Sequence, residues 1–216
     1  MVDPPSVLAT HLTTVIKNHA FELLGRQEVQ NMVDYIKEQN PAVVSDLIPD
    51  LINLSELQKV LSNLLREQVS IRDLTTILET LADYGRLTKD VDVLTEYVRQ
   101  ALRRQITRQY AGEDKKLQVL TLDPAVEDIL RSSIQQSEFG SYLAVDPEVA
   151  QSLIDKVSRY HEDLIRRGTT PIILCAPILR IYFKRLLDRF MTDLVVLSYN
   201  EIDSNVQVEV VGMVSS

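Results

Sequence analysis

The chain has 216 residues with a single cysteine and three histidines, and its 31 acidic and 23 basic side chains leave a net charge of −8 and a pI near 5.0. That length suits one large or two small domains with hydrophobic cores of their own; disulfide staples are unnecessary, and one cysteine excludes an internal bridge. The acidic balance disfavours a nucleic-acid or anionic-membrane surface, since either needs clustered Lys and Arg to displace counterions.

The opening Met1-Val2-Asp3-Pro4-Pro5 has neither the positive start nor the apolar core of a signal peptide. Pro4 and Pro5 open a helix to about residue 19, with Leu8, Leu12, Val15 and Ile16 on one face and no evident partner for that face. Residues 21–86 read as wholly helical. Gly25 stands where a helix begins, and Glu28 follows three positions later, near the N–H groups such an end leaves unpaired. Apolar stripes recur at three and four residues: Val29, Met32, Val33, Ile36; then Leu57, Val60, Leu61, Leu64, Leu65; then Leu74, Ile77, Leu78, Leu81. Asn40-Pro41 and Pro49-Asp50 break the pattern and leave residues 42–48 as a short helix or turn. Ser70 is expected to cap the third stripe, with Asp73 answering it in a Ser-x-x-Asp box. Gly85 is expected to end that helix in a left-handed cap.

Beyond residue 88 the pattern alternates. A long helix over 90–110 precedes a strand at 117–122, a helix opened by Asp123-Pro124 and a helix over 146–167. A strand at 171–175, a helix over 177–190 and strands at 194–198 and 206–211 follow. Strands alternating with helices imply a largely parallel sheet with right-handed crossovers. Residues 199–205 are long enough to turn the last two strands into a hairpin. In Val206 to Val211 the alternation of Gln207 and Glu209 with valines marks a half-exposed strand. The expected fold class is α + α/β, a small all-helical domain followed by an α/β domain with a mostly parallel four-stranded sheet. The expected boundaries are 1–20 for a linking helix, 21–87 for the helical domain and 88–216 for the α/β domain.

Catalytic groupings are missing from the sequence. His11, His19 and His161 have no partner at zinc spacing, and the neighbours of His161, Glu162 and Asp163, point to other helix faces. Six scattered glycines form no phosphate-binding loop, and Ser141 and Ser198 have no Gly-x-Ser-x-Gly elbow. Asp123 before Pro124 could stand at a strand end as an acidic catalyst, but it is also the ordinary way to start a helix. Cys175, within Ile172-Ile173-Leu174-Cys175-Ala176, reads as a small buried apolar residue. Neither an enzyme, a metal nor a cofactor is expected. A DNA-reading helix is excluded too, because residues 73–84 carry Asp73, Glu79 and Asp83 and no basic side chain. The densest basic group, Arg99, Arg103, Arg104 and Arg108, falls on one side of a helix opposite Val98, Leu102 and Ile106. It reads as a solvated face or as a docking face for an acidic surface, and the 12 acidic and 7 basic residues up to Arg86 are compatible with the second. The longest apolar run, residues 171–179, stops at Arg180 and Lys184, short of the roughly 20 residues that cross a bilayer.

Three segments carry a resemblance: Leu24-Gly25-Arg26-Gln27-Glu28-Val29-Gln30, Ile71-Arg72-Asp73-Leu74-Thr75-Thr76-Ile77-Leu78-Glu79, and Val195-Val196-Leu197-Ser198-Tyr199-Asn200-Glu201-Ile202. In order and spacing they resemble the export-gate family of flagellar and injectisome type III secretion systems, the first segment looking more like the flagellar branch. The resemblance implies the cytoplasmic tail of a multi-pass protein of the bacterial inner membrane, with no direct membrane contact of its own and no nucleic acid among its partners. It also implies a homo-oligomeric ring formed mainly through the helical domain, which helps dock export chaperone–cargo complexes and meets other export components. Carried to matching positions, it makes Arg26, Gln27, Glu28, Arg72, Asp73, Glu79 and Asp83 candidates for subunit contacts. The family's main chaperone cleft belongs to preceding subdomains, so this stretch is expected to dock chaperones weakly or not at all, and the first helix closes one of those subdomains. The alternatives are an injectisome homologue and an independent soluble protein-binding adaptor; hydrophobic helices encoded upstream would argue against the adaptor.

Overall fold

A computed structural model describes residues 3–137 and 140–215, apart from the side chain of Pro4. The first helix, α1 (Pro4–His19), begins at its prolines as expected and runs into a short 3₁₀ turn, Ala20–Glu22. Helices α2 (Arg26–Gln39), α3 (Pro41–Leu47), α4 (Leu54–Arg66) and α5 (Leu74–Tyr84) follow, bounded by the prolines and glycine that the sequence marks. Their stripes form a core of Val29, Val33, Leu57, Leu61, Ile77 and Leu81, all buried. Each such side chain contributes roughly 1.5–3 kcal/mol on leaving water.

The helix ends differ from expectation in detail. Asp73 is itself the N-cap of α5, accepting from the backbone N–H and the hydroxyl of Thr76, while the Ser70 hydroxyl accepts from the Arg72 N–H. At the other end Gly85 has a right-handed φ of −61°, so no left-handed cap forms. Glycine is needed there for room, because a Cβ would lie 2.6 Å from the Leu81 carbonyl oxygen. A reciprocal capping box that the sequence reading passed over, Asn53 with Glu56, opens α4.

The expected long helix divides at Leu102 into α6 (Val91–Ala101) and α7 (Arg103–Tyr110). The chain forms two compact units, Met1–Leu102 and Arg103–Ser216, so α6 goes with the helices before it. It packs on α4 and α5, with the Tyr84 and Tyr97 rings stacked at 3.9 Å. Buried Leu94 and Val98 extend the helical core, and Asn63 Nδ2 donates to Thr95 Oγ1.

The second unit contains β1 (Lys116–Leu122), α8 (Pro124–Ser132), the strands β2 (Ile134–Ser137) and β3 (Gly140–Leu143), and α9 (Pro147–Arg166). Then come β4 (Ile172–Cys175), α10 (Pro177–Leu187), β5 (Val195–Ser198) and β6 (Gln207–Val214). Four strands make a parallel sheet in the order β5-β4-β1-β6. Every residue of β4 is buried, as its unbroken apolar sequence requires, and Cys175 is among them.

The expected hairpin between the last two strands does not form. Instead β5 and β6 lie at opposite edges, and the segment between them is a crossover fixed by side chains. Thr107 Oγ1 donates to the Glu201 carbonyl at 2.8 Å and accepts from the Asp203 N–H at 3.0 Å. Glu201 turns its carboxylate inward to the Ser198 N–H, 2.6 Å away, beside the guanidinium of buried Arg180. The antiparallel β2–β3 pair, which the sequence reading did not anticipate, packs through β3 against α10.

Candidate assembly and docking surfaces

The first candidate cluster sits on the opening turn of α2. With no side chain at Gly25 the turn is bare, and the Glu28 carboxylate folds back over it: a Cβ on Gly25 would meet Glu28 Oε2 at 2.5 Å. A carboxylate near a helix start is favoured by the unpaired N–H groups and the positive end of the dipole. Arg26 reaches across to α4, its Nη2 donating to Ser55 Oγ at 2.9 Å, and Gln27 donates to Asn31 one turn on. All three residues remain exposed. Ser55 is a partner that the sequence reading missed, since nothing local marks a contact between helices.

The second cluster opens and lines α5. Arg72 and Asp73 stand exposed at its start, Asp73 held by its cap bonds, and Glu79 and Asp83 lie one turn apart on the exposed side. The helices that carry the two clusters, α2 and α5, both pack against α3. An array with an arginine and a carboxylate at each helix start suits contact between unlike surfaces, where charge fixes register more than it adds affinity.

The four arginines do not share a face. Arg99 is only 2% exposed, with Nη1 3.2 Å from Glu67 Oε2, and belongs to the interior of the helical unit. A guanidinium can be buried once a carboxylate from another helix meets it, and a reading of one helix alone cannot see that partner. Arg103, Arg104 and Arg108 are exposed on α7 in the second unit. Arg104 lies 3.7 Å from Asp203, a loose pair because the arginine side chain is 83% exposed. The Asn205 backbone N–H, with its side-chain amide and then Arg104 and Arg103, holds the Asp203 carboxyl below the usual carboxylate range. Of the candidate docking face, Arg103, Arg104 and Arg108 remain at the surface.

Other functional chemistry is sparse. His161 faces Asp193 at 2.9 Å and His19 faces Glu22 at 2.9 Å, each a local pair. Asp123 caps α8 through the Ala125 N–H, and Glu127 accepts from the Ala176 N–H, occupying the start of α10. Among the described residues no group of three or more His, Cys, Asp or Glu could hold a metal, and no helix is long and apolar enough to cross a membrane.

Comparison with known proteins gives these surfaces a context. The FHIPEP family model matches residues 1–207. The flagellar biosynthesis protein FlhA of Bacillus subtilis is 49% identical over 99% of this chain, and that of Borreliella burgdorferi is 38% identical over 99%. This chain spans 32% and 31% of those proteins, about a third of their length. Among solved structures, the Chlamydia pneumoniae CdsV protein superposes with a TM-score of 0.87 at 32% identity, covering 98% of this chain and 61% of that one. CdsV is also solved in complex with CdsO, with the same TM-score at 31% identity and coverage of 99% and 62%. The nonameric SctV-C of enteropathogenic E. coli (EPEC), solved by cryo-EM, gives 0.84 at 33% identity, covering 94% of this chain and 61% of that one. Matched over nearly its whole length by one family model and by flagellar FlhA proteins, the chain belongs to the FHIPEP family.

Proposed function

We propose that this chain is the cytoplasmic part of a flagellar type III export gate, on the inner face of the bacterial plasma membrane, where it scaffolds a homo-oligomeric ring. The observation that carries the reading is its likeness, over 94% of its length, to SctV-C, which is solved as a nonamer. The flagellar branch is favoured because identity reaches 49% with an FlhA protein and 33% with SctV-C. The ring contacts are assigned to Arg26, Gln27 and Glu28 at the start of α2 and to Arg72, Asp73, Glu79 and Asp83 around α5. Each subunit then offers two unlike charged surfaces, as a closed cyclic assembly requires. Docking of chaperone–cargo complexes and other export components belongs to the assembled ring, which holds many weak sites at high local concentration. The CdsV–CdsO complex supports such a second partner, and Arg103, Arg104 and Arg108 are the face assigned to it. Helix α1 is read as part of a preceding subdomain: Leu8 and Ile16 on its apolar side are 69% and 50% exposed.

Sedimentation of the chain and its Arg72→Glu variant across a wide concentration range tests the ring. The parent is expected to be monomeric when dilute and to self-associate weakly as concentration rises, with the variant shifted to higher concentration. Unchanged association in the variant removes Arg72 from the interface. A parent that stays monomeric at every concentration takes the ring contacts away from these surfaces. Binding of chaperone–cargo complexes to this chain and to a longer version separates docking from scaffolding.

A further inference from the structure

The α/β unit carries a further concave surface, apart from the charge clusters described above. The β2–β3 pair stands beside α9 and α10, and between them lies a groove of about 440 Å³. Its floor is apolar: Ile154 from α9 is buried, and Leu143 from β3 and Leu186 from α10 pack on the core beneath. Aromatic rings stand along it. Tyr142 is 48% and Phe190 is 56% exposed, and Tyr182 beside them is half-buried. The Tyr142 hydroxyl donates to Gln135 Oε1 at 3.0 Å across the strand pair, which fixes its ring instead of leaving it to swing in solvent.

Charge singles the groove out. The chain carries a net −8, yet the charged residues that line this groove are Arg185 and Arg189, both exposed, and no carboxylate lines it among the described residues. Apolar floor, aromatic walls and a cationic rim are the complement of an amphipathic acidic segment: apolar side chains inserted, Asp or Glu meeting the rim. Arginine suits that rim because its planar fork meets carboxylates bidentately. We infer that this groove docks a short amphipathic segment of a partner protein, with leucine or aromatic side chains at helical spacing and carboxylates beside them.

The test uses the whole chain and a fluorescein-labelled synthetic peptide carrying Leu and Phe at helical spacing with Glu at the other positions. Two control peptides replace Glu by Lys or the apolar residues by Ser. At low salt the Glu peptide is expected to raise anisotropy saturably, and the double variant Arg185→Glu/Arg189→Glu to weaken it roughly tenfold, with neither control binding. Amide NMR shifts on the unmodified chain are expected to cluster at Gln151, Leu186 and Phe190, which locates the site independently of any variant's folding. No saturable binding, equal binding of the Lys peptide, or shifts elsewhere would each overturn the assignment. So would concentration-dependent self-association that the double variant abolishes, which would give the groove to a second copy of the chain.

Discussion

At the scale of the residue, the arginines separate by what meets them. Arg99 has its guanidinium inside the helical unit against Glu67, which is 17% exposed. Arg180 is wholly buried in the other unit, beside Glu201 and within 3.3 Å of the Val196 carbonyl. Taking one partner from such a pair leaves a desolvated charge, which costs more than the pair itself contributes. Arg99→Ala is therefore expected to destabilise the chain by about 3 kcal/mol, the low end for a broken buried pair because Glu67 keeps some access to water. Arg108→Ala, on an exposed turn of α7, is expected to change stability by less than about 0.5 kcal/mol. Urea unfolding of both variants checks this, and a docking-face role for Arg99 would return if the two behaved alike.

At the scale of the element, β6 shows how close packing constrains the sheet. Its register against β1 slips between Val119 and Leu120, so that Val119 faces Val210 and Leu120 faces Gly212. A Cβ at Gly212 would come within 2.9 Å of both Leu120 Cδ2 and the Tyr160 ring from α9. Leu120 is buried, and the Tyr160 hydroxyl is tied to the Met213 carbonyl, so neither has room to give. Gly212→Ala is expected to cost about 1–3 kcal/mol by overpacking, read as a lowered urea midpoint with unchanged slope. An unchanged midpoint would mean that the strand edge yields. The elements legible in the sequence are those whose signal is local: proline starts, helical stripes, and the apolar run of β4, covered on both faces. What was not legible depends on distant partners. The crossover to β6 rests on Thr107 and buried Glu201, β2 and β3 are mostly polar and half exposed, and Arg99 looked like a surface charge until Glu67 was found opposite it. The candidate surfaces read as charge clusters in the sequence, and burial of Arg99 breaks one of them up. The groove was not legible, because its residues come from three separate elements.

At the scale of the whole molecule, the question is where one folding unit stops. The sequence pattern puts the change at residue 87, where helices give way to alternation, but α6 belongs by its contacts to the helices before it. Leu94, Val98 and Leu102 are all buried, and at roughly 1.5–3 kcal/mol each their loss approaches the whole stability of a small domain, about 5–15 kcal/mol. Removing α6 also strips Glu67 of Arg99 and Tyr84 of its stacked neighbour Tyr97. A fragment of residues 1–102 is therefore expected to unfold in one cooperative transition. A fragment of residues 1–87 is expected to lose that transition or to show it at far lower denaturant. Residues 103–216, with a sheet and core of their own, are expected to unfold cooperatively alone. Circular dichroism in urea on the three fragments decides between the boundaries: equal midpoints for 1–87 and 1–102 would make α6 a linker. If 1–102 is the unit, a ring built through the helical part carries α6 with it as a fixed piece of each subunit.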